Sequence, residues 1–248
     1  MQEQKKKQGN RNHIFLKQAA CLILACLMVL QTGVMSVFAA PAASVIRSNE
    51  LHGVWISYLD WEKLPADQES FKREVGKMLD RCEELKMNAV FVHVRADSDA
   101  MYPSSYFPWS RFVTGTQGKN PGFDPFAVFV NEAHNRGLQI HAWINPYRVT
   151  GYHNTWNQVS DQSPAKRWLS DADTSNDRWV LKQNGAYYLN PSVPQVRELI
   201  INGVREIVQK YTVDGIHFDD YFYPEVDNNN PNRWFDKPEY DASGSSLS

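Results

Sequence analysis

Apolar residues after position 50 fall into four short runs, each of mostly continuous Val, Ile, Phe or Trp. The runs cover residues 52–59, 88–95, 138–145 and 213–221. Unbroken runs of this length are typical of strands that are buried on both faces. Between them, apolar residues recur at helical spacing over residues 68–86, 124–136 and 192–211. This alternation of strands and helices predicts right-handed crossovers and a parallel sheet.

Two of the helical segments carry start and stop signals. One begins at Asp124-Pro125, a capping residue followed by proline in the first turn, and Gly137 marks its end. The other opens at Ser192 and has Pro194 in its first turn, where a missing N–H leaves no hydrogen bond unmade. These signals support the helical assignment of both segments.

Two connections, at residues 96–123 and 146–191, are too long to be plain linkers. The second contains residues 179–189, whose Asn184-Gly185 centre predicts a β-hairpin. Both connections follow predicted strands, so we expect them at the carboxyl edge of the sheet. Proteins of the α/β class place their sites at that edge, and long connections there are usually functional.

The number of predicted strands is too small for a complete eight-stranded barrel. Four strands are used by residue 221, whereas a complete eight-stranded α/β barrel takes about 250 residues. We therefore predict an α/β chain of the (β/α)8 TIM-barrel type, truncated after its fourth strand, with a small open sheet as the alternative. The expected divisions are a leader at residues 1–39, a partial barrel domain at 48–240 and a polar tail at 241–248.

The first 39 residues have the three-part layout of a secretory signal peptide. A basic, polar start runs to Lys17, an apolar stretch covers residues 19–35, and small residues around Ala39 suit signal peptidase. An uncleaved membrane anchor is the alternative, since the apolar stretch approaches the length that spans a bilayer. Both interpretations place the body outside the cytoplasm, secreted or at the cell envelope, with membrane contact only through the leader.

Charge and cysteine content narrow the function further. The leader holds five of the 26 basic residues and one of the 28 acidic ones, so the rest of the chain is net acidic. An acidic body argues against nucleic-acid binding. Two of the 3 cysteines lie in the leader, which leaves Cys82 without an intrachain disulfide partner. Cys82 falls on the apolar stripe of its helix and is expected to be a buried small hydrophobe.

The last three predicted strands end in polar and charged residues. With a period of two, the residues that share a face are His93, Arg95 and Asp97; His141, Trp143 and Asn145; and His217 and Asp219. A charge near a buried strand is costly unless it is paired. Three strands that end in this way predict a common site. The alternative is a structural Arg95–Asp219 salt bridge with histidines bonded to the backbone.

Four segments together carry a family resemblance. They are Leu51-His52-Gly53-Val54-Trp55-Ile56, residues 88–99, His141-Ala142-Trp143-Ile144-Asn145-Pro146 and residues 214–221. In this order, over about residues 48–240, they resemble glycosyl-hydrolase-like family 10, a group of bacterial secreted or envelope TIM-barrel proteins. The resemblance implies hydrolysis of a cell-wall glycan, such as peptidoglycan strands, or of another bacterial polysaccharide. The chain departs from the family pattern by ending after the fourth strand.

The residues themselves are compatible with this chemistry. Cleavage of a glycosidic bond needs two carboxyl groups, one as acid and one as nucleophile or base. Asp219 and Asp220 are the candidate catalytic residues, and Asp219 shares the inward face with His217. On a regular strand Asp220 faces the other way and orients a neighbour, unless a bulge reverses the two. The candidate substrate-binding residues are Arg95, Asp97, His141, Trp143, Asn145, Tyr147, His217 and Tyr221.

Further aromatic residues lie in the first strand and in the first long connection. Tyr102, Tyr106 and Trp109 have two possible roles, stacking on sugar rings or packing in the core. For Trp55 we expect core packing.

Two other functions stay open. A metal-dependent barrel hydrolase would use His93, His141 and His217 with Asp219, since imidazoles and a carboxylate bind zinc well. No His-x-His or His-Glu-x-x-His spacing supports that site. A non-catalytic glycan-binding module or an inactive remnant is the other function, because a half-barrel has open sheet edges. The preferred interpretation has a polysaccharide partner and no metal, cofactor or nucleic acid.

Overall fold

The computed structural model describes residues 50–151, 154–219 and 235–244. The predicted leader at residues 1–39 lies outside these ranges, as do the candidate site residues Asp220 and Tyr221. None of the helices within the described ranges is both long and apolar enough to cross a bilayer.

The elements alternate between strands and helices along the chain. The strands are β1 (Gly53–Ile56), β2 (Ala89–Arg95), β3 (Gln139–Ile144), β4 (Val180–Gln183), β5 (Ala186–Leu189) and β6 (Gly215–Phe218). The α-helices are α1 (Tyr58–Trp61), α2 (Gln68–Glu84), α3 (Arg111–Thr114), α4 (Pro125–Asn135), α5 (Pro164–Ser170), α6 (Pro194–Lys210) and α7 (Lys237–Ala242). Two short 3₁₀ helices cover Trp156–Gln158 and Asp177–Trp179. The polar tail predicted from residue 241 therefore starts inside α7.

The main sheet has the strand order β1-β2-β3-β6 and every pairing in it is parallel. Each of the four predicted strands forms one of these strands, and the three predicted helices are α2, α4 and α6. Consecutive parallel strands joined by helices are the repeating unit of a (β/α)8 barrel. The predicted fold class is confirmed, because the described residues form four strands of this barrel type.

The first strand is shorter than its apolar run. The strand ends at Ile56 because the N–H and hydroxyl of Ser57 both donate to the Asp60 carboxylate, at 2.9 and 3.0 Å. This side-chain contact starts helix α1, so Tyr58 and Leu59 belong to a helix instead of extending the strand.

The hydrophobic core lies between the sheet and the helices. Val90, Val92, Ile140, Ala142 and Ile144 of the central strands are fully buried. Against them pack the apolar faces of α2, α4 and α6, with residues Phe71, Val75, Leu79, Phe126, Phe129, Val196 and Ile207. Cys82 is 7% exposed on α2 and has a free thiol, as its position on the helical stripe predicts.

The predicted hairpin is confirmed as β4 and β5, which pair antiparallel. Asn184 and Gly185 at its tip have φ angles of 49° and 83°, the left-handed values that a two-residue hairpin turn requires. The segment after β3 adds to this hairpin, since the Val149 N–H donates to the Tyr187 carbonyl and the Leu189 N–H donates to the Tyr147 carbonyl. The second long connection is therefore attached, through its own backbone, to the carboxyl end of β3.

Candidate active site

The inner face of the sheet, which turns away from the helices, is covered with aromatic and imidazole rings. Trp55 of β1 stacks on Phe91 of β2 at 4.7 Å between ring centroids, and Phe91 stacks on His141 of β3 at 4.7 Å. Glycines make room for these rings: a Cβ on Gly53 would lie 2.5 Å from the Phe91 ring, and one on Gly215 would overlap the His141 ring.

A second row of rings lies nearer the carboxyl edge. His93 stacks on Trp143 at 3.9 Å with planes only 13° apart, and Tyr58 lies 5.5 Å from His93. His217 of β6 meets Trp143 edge-on at 6.2 Å. The predicted inward positions of His93, His141, Trp143 and His217 are those of the structure.

Trp55 crosses the concave face of the sheet. Its indole N–H donates to His217 Nε2 at 3.3 Å, which links the two edge strands β1 and β6. Core packing was expected for Trp55, yet the side chain is 52% exposed. That expectation is wrong because Trp55 lies on the edge strand β1, beyond which the described residues place no further strand.

The electrostatics of the ring layer favour neutral imidazoles. Burial, with the nearby charge of Arg148 as the second cause, lowers the pKa of His93 to about 3. Burial likewise lowers the pKa of His141. His217 Nε2 accepts the hydrogen bond from the Trp55 indole N–H. His93 and His141 therefore contribute little positive charge to the ring layer.

The alternative metal site does not form in the part of the chain that the structure describes. Within residues 50–151, 154–219 and 235–244, no three His, Cys, Asp or Glu side chains converge as metal ligands would. The histidines proposed as ligands lie flat against, or edge-on to, neighbouring aromatic rings. The strand-end histidines are thus part of an aromatic layer.

Arg95 takes the opposite face from the one expected. The register of β2 against β3 shifts between His93 and Arg95, so Arg95 lies level with Ile144 on the helix side. Its guanidinium lies 3.6 Å over the Phe107 ring and is fully buried. Its predicted sharing of a face with His93, and with it direct contact with a glycan, is wrong.

The Arg95–Asp219 salt bridge, which was the alternative to a common site, is not formed either. Among the described residues, no hydrogen-bond acceptor lies within reach of the Arg95 guanidinium nitrogens. The predicted Arg95–Asp219 pair is therefore wrong. The bulge explains this result as well, because it turns Arg95 towards Gly203 of α6.

Asp97 and Asp99 form a turn beyond the end of β2. The Asp99 carboxylate accepts the Asp97 N–H at 3.1 Å, and Ser98 between them has a left-handed φ of 51°. Asp97 is 4% exposed, and its Oδ1 accepts from Arg148 Nε at 3.0 Å. Burial and the charge of Asp99 raise the pKa of Asp97 to about 7, although the charge of Arg148 acts in the opposite sense.

Arg148 is the polar residue of this edge to which sequence reasoning gave no role. It stands three residues after Asn145, and its backbone N–H donates to Asn145 Oδ1 at 3.4 Å. A charged residue so soon after a polar strand end was a usable signal. What the sequence did not show is the contact with Asp97, 51 residues away along the chain.

The remaining candidates are distributed around the same edge. Asn145 is fully buried directly after β3, and Tyr147 is half-buried beside it. Asp219 directly follows β6, two residues beyond His217, and is partly buried. Asp220 and Tyr221 lie outside the described residues, so their roles stay predictions, as does the catalytic role of Asp219.

The loop aromatic residues divide between the two roles left open. Tyr102 is fully buried and packs in the core, next to Tyr211 and Phe126. Tyr106 and Trp109 are half-buried. The structure thus removes Tyr102 from the sugar-stacking candidates.

The fold and the site together define a class. A parallel sheet of the (β/α)8 type carries ring faces on its inner side and carboxyl, guanidinium and amide groups at its carboxyl edge. This is where α/β-barrel enzymes place their active sites, and flat ring faces with polar groups at their rim suit a sugar. The features are those of the glycoside hydrolase class of barrel proteins.

Comparison with known families agrees with this class. The family described as Glycosyl hydrolase-like 10 matches residues 50–245, and the chain belongs to this family. The resemblance seen in the four sequence segments is thereby confirmed.

Two relatives have similar sequences. "Glycosyl hydrolase YngK" of Bacillus subtilis (strain 168) is 40% identical over 202 residues, which cover 79% of this chain and 38% of the relative. "Glycosyl hydrolase DigH" of Escherichia coli (strain K12) is 35% identical over 201 residues, covering 75% of this chain and 45% of the relative. The chain thus spans less than half the length of either protein.

Two solved structures are similar to this chain at a low level. α-L-Fucosidase isoenzyme 2 from Paenibacillus thiaminolyticus has a TM-score of 0.47 and 16% identity, covering 69% of this chain and 24% of the fucosidase. The maltogenic α-amylase AmyB from Thermotoga neapolitana has a TM-score of 0.43 and 15% identity, covering 69% of this chain and 40% of the amylase. The fold class rests on this chain's own strand order and register.

Proposed function

We propose that this protein is a secreted glycoside hydrolase domain that acts on a bacterial cell-wall glycan, such as peptidoglycan strands, or on a related polysaccharide. The observation that carries the proposal is the ring-lined inner face, which leads to a carboxyl-bearing strand end in a member of a glycosyl-hydrolase-like family. Stacked rings such as Trp55 and Trp143 offer the flat apolar surfaces on which sugar rings pack.

The chemistry requires two carboxyl groups on either side of the scissile bond. In the proposed mechanism Asp219 is one of them, because it directly follows β6 beside the ring layer. Asp220 is the second candidate in this chain. The protonated partner transfers a proton to the leaving oxygen, while the ionised partner attacks the anomeric carbon or activates water for that attack.

The test is turnover of glycan strands from purified peptidoglycan by the full chain. We expect release of reducing ends and at least about a hundredfold loss in Asp219→Asn, because the amide can neither attack nor exchange a proton. Asp214→Asn is the matched control, since Asp214 precedes β6 at the opposite edge and bonds to His134 and the Ile140 N–H. Asp214→Asn lowers the unfolding midpoint and leaves turnover per folded molecule unchanged.

Two outcomes would count against the proposal. Most of the activity surviving in Asp219→Asn removes Asp219 from the mechanism. Binding of glycan strands without any release of reducing ends, by the wild-type chain, favours the non-catalytic glycan-binding module instead. That second function is supported by the exposed Trp55 ring, which offers a stacking surface for a sugar without any carboxyl chemistry.

A further inference from the structure

We propose that Arg148 is a glycan-contacting cation of this site and that Asp97 is its positioning residue. The proposal rests on the proposed function, because it names a specificity-determining contact of the same site. The sequence predicts that Asp97 binds the substrate. In this proposal Arg148 makes that contact instead, and Asp97 holds Arg148 in place.

Arg148 is held from two directions. Its Nε–H lies 3.0 Å from Asp97 Oδ1 and 3.2 Å from the Ala96 carbonyl, both at the end of β2. Its backbone pairs with Tyr188 of β5, so the hairpin fixes its main chain. These contacts determine the plane of the guanidinium, whose fork of donors matches paired oxygen atoms only in a fixed orientation.

Asp97 and Arg148 differ in how deeply they are buried, and this difference indicates different roles. The Asp97 side chain is 5% exposed and the Arg148 side chain is 15% exposed. The Asp97 carboxyl group is therefore nearly sealed, whereas the Arg148 side chain keeps a larger exposed fraction. Of the two side chains, Arg148 is the one placed to contact a ligand directly, and Asp97 acts through it.

The position of Arg148 places it beside the ring layer. Its guanidinium carbon lies 5.6 Å from the Tyr58 ring, and its charge contributes to lowering the pKa of His93. Tyr58 lies tilted against His93, and the buried His93 ring stacks on the partly exposed ring of Trp143. A sugar resting on Trp143 presents its hydroxyl and acetamido oxygens to a cation at the rim of the rings, and a charged donor forms stronger hydrogen bonds than a neutral one.

The first experiment measures the affinity of the full chain for soluble glycan strands from peptidoglycan, by calorimetry. For Arg148→Gln we expect binding about 10- to 100-fold weaker, the loss typical of a charge-assisted hydrogen bond. Arg136→Gln is the matched control: Arg136 is 18% exposed and pairs with Asp80 and Glu132 on the helix side. We expect unchanged affinity for this control.

The second experiment tests whether Asp97 acts through Arg148. Asp97→Asn is expected to weaken binding about 3- to 10-fold in the wild-type background and to have no further effect in Arg148→Gln. An equal loss in both backgrounds overturns the positioning role of Asp97. Arg148→Lys retains the charge without the planar fork, and we expect it to recover only part of the affinity.

The failures of the two proposals are distinguishable. A wild-type chain that neither binds nor cleaves glycan strands contradicts the proposed function. Wild-type binding that persists unchanged in Arg148→Gln contradicts only the role of Arg148. Circular dichroism and the unfolding midpoint of each variant identify any loss that comes from misfolding, in which case Arg148→Lys provides the comparison.

Discussion

Arg95 and Asp97 stand two residues apart at the end of β2 and lie in different surroundings. Arg95 is fully buried over Phe107 on the helix side, while Asp97 contacts Arg148 at the carboxyl edge. The bulge between His93 and Arg95 causes this separation, because one extra residue in a strand exchanges its two faces. A strict period of two identified the inward residues up to His93 and placed Arg95 on the wrong side.

The pKa of Asp97, about 7 in the folded protein, predicts a pH-dependent stability. In the unfolded chain an aspartate releases its proton near pH 4. Between about pH 4 and pH 7 the folded protein therefore binds a proton that the unfolded chain has released, so this group's contribution to stability falls as pH rises through that window. Above about pH 7 the contribution is constant.

Thermal unfolding of Asp97→Asn across this range checks the prediction. We expect the unfolding midpoint of the wild type to decline, relative to Asp97→Asn, from about pH 4 to pH 7. Asp173→Asn is the control, because hydrogen bonds from Ser175 lower the pKa of exposed Asp173 and move its effect to more acidic solutions. Parallel curves for wild type and Asp97→Asn would show that Asp97 titrates normally.

The two long connections are attached to different parts of the fold. Residues 96–123 are bound to helix α6 on the outer side, where the Glu206 carboxylate accepts from the Ser104 hydroxyl at 2.6 Å and from the Ser105 N–H at 2.7 Å. The hairpin β4–β5 instead pairs with the segment after β3, which contains Arg148 and lies at the carboxyl edge. Both connections were expected at the site, but the Ser104–Ser105 segment is attached to the helix layer.

Helix α6 approaches β2 closely at Gly203. A Cβ there would lie 2.5 Å from Arg95 Nη1 and 2.7 Å from the Phe107 ring. We expect Gly203→Ala to destabilise the protein by about 1–2 kcal/mol, because the overpacking exceeds the gain in helix propensity. Chemical denaturation provides the measurement.

Gly76→Ala is the matched control for Gly203, since Gly76 also lies inside a helix. A Cβ at Gly76 meets the ends of two flexible side chains, Arg136 at 3.2 Å and Glu132 at 3.9 Å. This variant is expected to be neutral or slightly stabilised. A Gly203→Ala protein at least as stable as wild type would mean that α6 does not lie this close to Arg95.

At the scale of the whole molecule, the four-stranded sheet has a buried outer face and an inner face that is exposed only in part, chiefly at Trp55. Apolar side chains are exposed at both of its edges: Trp55 on β1, and Phe218 with Ile201 and Val208 on the side of β6 and α6. Trp55 differs from a core tryptophan because it lies on the edge strand β1 of this sheet.

Secretion is the prediction that belongs to the whole chain. Expressed in a bacterium with its leader, the protein is expected in the extracytoplasmic fraction with an N-terminus at Ala40, after cleavage behind Ala39. Deletion of residues 2–39 should retain it in the cytoplasm. An extracytoplasmic protein with its original N-terminus would instead support the membrane-anchor alternative.

Local patterns in the sequence determined the order of strands and helices, the parallel sheet, the hairpin and the inward ring positions, because each depends on spacing within one segment. The tertiary structure alone decided the rest. It turned Arg95 away through a bulge that no periodicity shows, exposed Trp55, and brought Asp97 to Arg148 from 51 residues away. Contacts of that separation depend on how whole elements pack, and neighbouring residues along the chain do not encode them.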